Sequence, residues 1–234
     1  MNADGWRKVE IENWRPPLDY LERRVRLESC PDLADEFREL VAEAACVARP
    51  RAAWSAVPVQ SVQSAQDDSG SGQVRCGGVE FRSPMLAHNL SNTGTAFPYI
   101  ATCGDEIDKR FPSLDDPLAE YWLDEIKSAA LYAAYDLLRE EIRSTGGTGQ
   151  LNSMNPGSGN AMLWPLSQQV PLFRILGEDA SNWAGVKLGD SLLMKPNKSV
   201  SGLFFFGADG FVSCAYCERD GCPNRRAPCG MTEL

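Results

Sequence analysis

Residues 116–143 read DPLAEYWLDEIKSAALYAAYDLLREEIR. Asp116 stands where a helix N-cap belongs, and Pro117 takes the first helical position, where a missing N–H costs nothing. From Leu118 to Arg143 the residues Ala119, Trp122, Ile126, Ala130, Ala133 and Leu137 trace one stripe at helical spacing, its alanines small enough to approach a sheet closely. Gly146-Gly147 ends the helix. What flanks it sets the class. Upstream, Arg51–Val62 alternates Val57, Val59 and Val62 as a strand does; Val74–Phe81 reads as its returning partner, bulged at Gly77-Gly78; Phe97–Cys103 is a third apolar run. Downstream, Trp183–Leu193, Ser199–Phe206 and Gly210–Cys214 read as strands, with Asp209-Gly210 as a hairpin signal. Shorter helices are expected at Leu18–Glu28, at Pro31–Val47 with Asp32 as cap, and at Leu166–Leu176. Strands at both ends around one long helix predict α+β with a mostly antiparallel sheet rather than regular βαβ alternation.

The 234 residues suffice for one large domain or two small ones. A net charge of −9 lacks the electrostatic footprint for a phosphate backbone, which argues against nucleic acid as a partner. Met1–Glu10 is polar and charged, without the basic start and apolar run of a signal peptide, and no apolar run approaches the roughly 18–20 residues of a membrane span. These features predict a cytoplasmic protein without a membrane partner.

In a reducing compartment the eight cysteines are thiols or metal ligands rather than disulfides. Cys30, Cys46, Cys76 and Cys103 are scattered and read as small buried hydrophobes. Cys214, Cys217, Cys222 and Cys229 crowd the C-terminus as C-x2-C-x4-C-x6-C, a spacing that predicts four ligands at one centre. Two residues between the first pair let both sulfurs face one point from a single turn, and Gly221 and Pro223 help the chain fold back. Arg219, Arg225 and Arg226 can offset thiolate charge, and Phe211 and Tyr216 can shield the site from water. Spacing alone leaves zinc and an iron–sulfur cluster open.

Ser144–Asn160 is aperiodic and glycine-rich, longer than an ordinary connection, and so a candidate binding loop. Four stretches around it carry a resemblance: Thr102-Cys-Gly-Asp-Glu-Ile107 before the long helix; Asn155-Pro-Gly-Ser-Gly159; Trp164-Pro-Leu-Ser-Gln168 with Leu172-Phe-Arg-Ile-Leu176; and Ser191–Phe206 with its Ser-Val-Ser-Gly element. In that order they resemble the activation domain of cobalamin-dependent methionine synthase, especially its stand-alone relatives. The resemblance implies a twisted, mostly antiparallel sheet with helices grouped beside it. It divides the chain into residues 1–96, helices and strands of the same domain; 97–213, the family-like core; and 214–234, the cysteine-rich tail.

The family domain presents S-adenosylmethionine to oxidised cobalamin, so the resemblance implies corrinoid maintenance or corrinoid-dependent methyl transfer, with a corrinoid protein as partner. It also places Asn152, Asn155, Gly157, Ser158 and Gly159 at the cofactor contact. The loop departs from the family there: it has no arginine before Pro156-Gly157, and Ser158 stands where the family has tyrosine. Asn152 or Asn155 can hydrogen-bond a ligand but cannot replace an arginine that grips a carboxylate with two N–H groups, which tells against S-adenosylmethionine as a ligand. Corrinoid maintenance needs an electron source, and this shifts the tail toward an iron–sulfur cluster of the [4Fe-4S] type over zinc, which has no redox chemistry. Two alternatives remain: a zinc-pinned module that docks on a corrinoid protein, and a methyltransferase that binds corrinoid or S-adenosylmethionine itself.

Overall fold

The structure, a computed structural model, describes residues 5–63, 72–159, 163–222 and 225–230. Its elements run β1 (Trp6–Glu10), α1 (Leu18–Arg24), α2 (Ala34–Val47), β2 (Arg51–Ser55), β3 (Val57–Gln63), β4 (Gln73–Cys76), β5 (Val79–Arg82), α3 (Pro84–Leu90), β6 (Thr95–Thr102), α4 (Glu106–Arg110), α5 (Pro117–Arg143), β7 (Gln150–Met154), α6 (Gln169–Ala184), β8 (Lys187–Leu188), β9 (Met194–Lys195) and β10 (Ser199–Gly207). Eight strands form one sheet in which every pairing is antiparallel; β8 and β9 make a separate short ribbon. The α+β architecture expected from the sequence is what the chain adopts.

Strand β6 organises the sheet. One edge pairs with β10 over Ala96–Thr102; the other pairs first with β3 and then with β2. Beyond them lie β1 on the β2 side, the β4–β5 hairpin on the β3 side, and β7 outside β10. Side chains alternate across this sheet as strand geometry requires. Ala53, Ile100, Leu203 and Phe205 face a core shared with α3 and α6, while Ala52, Trp54, Tyr99 and Phe204 face the C-terminal half of α5. Helices therefore cover both faces. A third cluster packs α1, α2 and the N-terminal half of α5 against each other, with Phe37 and Trp122 edge to face at 5.3 Å.

The long helix begins as the sequence indicates, with the Asp116 carboxylate accepting from the Leu118 N–H at 2.9 Å. Its buried stripe differs in the second half. Trp122, Ile126 and Ala130 are buried, but Ala134, Leu138 and Ile142 replace Ala133 and Leu137, which are only half-buried. The cause is the change of partner: the first half faces two helices, the second half faces the sheet, and the contact line turns by one residue between them.

Other expectations change for local reasons. Gly77-Gly78 is a two-residue hairpin turn, not a bulge, because Cys76 pairs Val79 and both glycines take positive φ, 55° and 81°. Arg51–Val62 is two strands broken at Ala56. Asp32 does not cap α2; it lies in a 3-10 turn, Pro31–Leu33, ahead of the helix. Trp183–Leu193 ends a helix and begins the small ribbon, and the residues after Gly207 bend into a 3-10 turn, Ser213–Tyr216, without forming a strand or hairpin. Pro171 sits in the first turn of α6, where its missing N–H has no intrahelical partner to lose. Strand β1, helices α3 and α4, and strand β7 inside the glycine-rich stretch are further elements. The polar connection expected at 66–73 falls mostly outside the described residues. No helix among the described residues is long and apolar enough to cross a membrane.

The scattered cysteines divide. Cys76 and Cys103 are buried, whereas Cys30 and Cys46 are exposed, so the hydrophobe reading holds for only two of them. Burial pushes the thiols of Cys76 and Cys103 up to about 12 from 9.0. Since these folded-state values lie above the unfolded one, both thiols favour the folded chain fully below pH 9, and that contribution is lost as pH rises from about 9 to about 12. A pH series of urea denaturation should show this alkaline loss, and the Cys103→Ala variant should show a shallower one; an identical slope in the variant rejects the assignment. Leu138→Ala should lower stability by about 2–5 kcal/mol, and Leu137→Ala by clearly less. Equal urea midpoints for the two variants would contradict the placement of the stripe.

Candidate functional site

The loop of interest leaves the sheet at Asn155, directly after β7. Strand β7 reaches the sheet only because β10 offers a glycine there. A Cβ on Gly202 would lie 2.2 Å from the Met154 carbonyl oxygen and 2.6 Å from Asn155 Nδ2. The glycine of the Ser-Val-Ser-Gly element is thus a requirement of close backbone approach. The Asn155 amide donates to the Tyr99 hydroxyl at 2.6 Å and to the Ser201 carbonyl at 2.7 Å. Ser158 N–H then donates back to the Asn155 carbonyl at 3.1 Å, and Gly157 N–H donates to the Trp164 carbonyl at 2.8 Å. Gly157 and Gly159 take φ of 78° and 83°, conformations that L side chains rarely adopt.

Beneath the loop lies an aromatic layer. The rings of Tyr99 and Phe204 are 4.4 Å apart, with Tyr135 within 5.8 Å of both. Tyr135 shares a 2.9 Å hydrogen bond with Ser153. Complete burial, then the neighbouring Tyr135, holds the Tyr99 phenol well above its usual range, so it stays protonated and accepts from Asn155.

Asn152 serves the tail. It is buried, its amide donates to Gln150 O at 3.2 Å and Asp209 O at 2.9 Å, and its Oδ1 accepts the Phe211 N–H at 2.7 Å. This side chain fastens the chain leaving β10 to β7, and its polar atoms are engaged within the protein. Phe211 then stacks on Tyr216 at 5.8 Å, and both pack against the α3/α6 core. The two aromatics act first as the tail's anchor.

The tail in turn meets the loop. A Cβ on Gly159 would sit 3.1 Å from the Ser213 carbonyl oxygen, and the hydroxyls of Ser158 and Ser213 face each other at 3.5 Å. The loop 155–159 therefore meets Ser213, the residue before Cys214. Of the lysines near the ribbon, Lys198 is paired with Asp124 at 2.7 Å.

The cysteine segment closes on itself. Cys217 N–H donates to Cys214 O at 3.2 Å, one turn holding the first two cysteines, and Gly230 N–H donates to Ala215 O at 3.1 Å, bringing the residue after Cys229 back to the start. The Arg225 guanidinium fills the loop. It donates to the carbonyls of Cys214 at 3.2 Å, Cys217 at 3.0 Å and Ala227 at 3.3 Å, and also to that of Arg219. Arg226 N–H points at Cys214 Sγ, 3.5 Å away. That N–H lowers the Cys214 thiol below its ordinary value despite desolvation, with help from the Arg226 charge. The thiols themselves do not converge: among the described residues no three or more His, Cys, Asp or Glu side chains stand close enough to hold an ion. The donor set still suits a thiolate-ligated centre, because four cysteines lie on one closed loop, one sulfur accepts a main-chain N–H, and a guanidinium offsets negative charge. Pro223 lies outside the described residues.

No protein-family model matches the sequence, and no curated protein matches it. Among solved structures, the chain is similar to the crystal structure of the MetH reactivation domain bound to AdoHcy, with a TM-score of 0.58 at 14% identity, over 90% of this chain and 81% of that one.

The fold is that of the MetH reactivation domain. At this identity the likeness speaks for the fold alone. Within it, the turn at residues 155–159 follows the glycines that the sequence places there. The roles of Tyr99, Ser201 and Ser213 were not legible from sequence, since each is an ordinary strand or turn residue until the chain is folded.

Asn152→Ala removes two donated bonds and leaves the Phe211 N–H without its acceptor, a loss of about 1–3 kcal/mol. It should loosen the tail more than the sheet. Hydrogen exchange should show faster exchange from Phe211 through Tyr216, with β6 unchanged. Uniform acceleration across both would assign Asn152 to the sheet instead.

Proposed function

We propose that this chain serves a corrinoid-dependent methyl-transfer system as an iron–sulfur protein, delivering electrons for reductive activation of a corrinoid protein. One observation carries the reading. The four-cysteine tail begins at the residue after Ser213, which contacts the 155–159 loop that the resemblance puts at the corrinoid and methyl-donor contact. A redox centre on this tail would sit beside the surface a corrinoid partner meets. The similarity to the MetH reactivation domain is in keeping with a corrinoid-associated role.

In this reading Cys214, Cys217, Cys222 and Cys229 hold the cluster, which would supply single electrons; zinc has no such chemistry. The chain's residues do the rest. The Arg226 N–H favours the thiolate of Cys214. Phe211 and Tyr216 bury one side of the tail against the core, and Asn152 fixes where it leaves the sheet. Bound there, the cluster would supply one electron at a time to an oxidised corrinoid on the partner, being oxidised itself and then re-reduced by an external low-potential electron donor. Because Asn152 and Asn155 direct amide donors at the chain's own carbonyls and at Tyr99, the reading assigns methyl-donor capture to the partner rather than to this loop.

The tail's packing also favours a second reading, a zinc-pinned docking module, because zinc would stabilise the same closed loop without redox chemistry. Protein purified anaerobically decides between them. The proposal expects a brown protein with iron and acid-labile sulfide in near-equal amounts, bleached by dithionite, and loss of both in Cys217→Ser with the core intact. A colourless protein with stoichiometric zinc would leave the four-ligand site and remove the electron-transfer role. Metal-free protein under reducing conditions would remove both.

A further inference from the structure

We infer that Arg225 is the positioning residue of the cysteine loop, its guanidinium holding together the main chain of the segments that carry the cysteines before any ion is bound. The inference rests on the four-thiolate reading above and deepens it. Among the described residues of 212–230 the regular structure is one 3-10 turn, Ser213–Tyr216. Besides the bonds inside that turn, their described main chain makes four hydrogen bonds: Ala215 to Val212, Cys217 to Cys214, Arg225 to Cys222 and Gly230 to Ala215. Arg225 alone contributes a further four, to Cys214, Cys217, Arg219 and Ala227. Two of those carbonyls belong to ligand cysteines, one lies between the second and third cysteine, and one lies two residues before the last. One planar group thus ties together the segments that carry Cys214, Cys217 and Cys229.

The chemistry calls for arginine in particular. Carbonyls turned inward on a tight loop need donors. A guanidinium offers five N–H groups in a fixed plane and has no acceptor. Lysine has three donors around a point and cannot span carbonyls on both sides of the loop in one geometry. The positive charge adds a second effect: it lowers the cost of gathering several thiolates in one place. Arg226, one residue on, is exposed, and its largest contribution at Cys214 is a main-chain N–H that any residue but proline would provide, its charge adding to it.

The experiment uses the full chain, stripped of metal under reducing anaerobic conditions, as wild type, Arg225→Gln and Arg225→Lys. Cobalt(II) titration reads thiolate-to-cobalt charge transfer and the visible bands of a tetrahedral site. Iodoacetamide labelling of the metal-free chain, mapped by mass spectrometry, reads the loop itself, with exposed Cys46 as internal standard. The expected result is cobalt binding weakened about 10–100-fold in both variants, the range for outer-shell groups of metal sites. Faster labelling of Cys214 and Cys217 relative to Cys46 should accompany it, with urea midpoints near wild type because the core lies elsewhere. Wild-type affinity and labelling in Arg225→Gln would overturn the inference. Wild-type affinity in Arg225→Lys alone would overturn the fork geometry and leave charge as the cause. Wild-type protein without thiolate-to-cobalt bands would defeat the four-ligand reading itself, and the labelling ratio would then decide whether Arg225 shapes the loop.

Discussion

Strand β10 is held on both edges and both faces. Its edges pair with β6 and β7. Leu203 and Phe205 enter one core, and Phe204 enters the other. Such a strand tolerates no shift of register, because a slip by one residue would exchange the two faces. Gly202 adds a second constraint, since any Cβ there would strike the Met154 carbonyl. These constraints fix where β7 lies, and with it the start of the 155–159 loop. They also fix where the chain leaves β10, and so where the cysteine tail begins. Both parts of the candidate site hang from one strand.

The tail is therefore not an independent appendage. Asn152 bonds to Asp209 and Phe211, the Phe211–Tyr216 stack enters the α3/α6 core, and Ser213 meets the loop glycine. Each contact is modest, because an intramolecular hydrogen bond nets only about 0.5–1.5 kcal/mol. Together they set the position of Cys214 relative to the loop. The loop's own polar groups are spent on the same task, with Asn155 bonded to Tyr99 and Ser201. A loop whose amides face inward is a shaped surface rather than a polar cradle, and it offers a partner shape and backbone before it offers charge.

The long helix shows how packing divides one element between two tasks. Its first half belongs to a helical cluster with α1 and α2, and its second half covers the sheet behind Tyr99 and Phe204. The aromatic layer under the loop is thus backed by the most continuous helix in the chain, so the floor of the site is rigid while its rim is made of turns.

Local chemistry was legible in the sequence wherever a short stretch carries its own instruction. Asp116-Pro117 capped the helix as expected, and the Ser-Val-Ser-Gly strand formed over Ser199–Gly207. Where the outcome depends on a partner distant in the chain, the sequence was silent or misleading. Strand β7 lies inside a stretch that lacks strand periodicity, because its bonds come from β10 some fifty residues later. Leu138 rather than Leu137 is buried because α5 changes neighbours midway. Asn152 looked like a ligand contact and is an internal tie, a difference decided by where Asp209 and Phe211 arrive. Composition and spacing determine which groups a segment can offer; only tertiary contacts decide which of those groups remain free, because a buried donor or acceptor takes whatever partner the folded chain brings within reach.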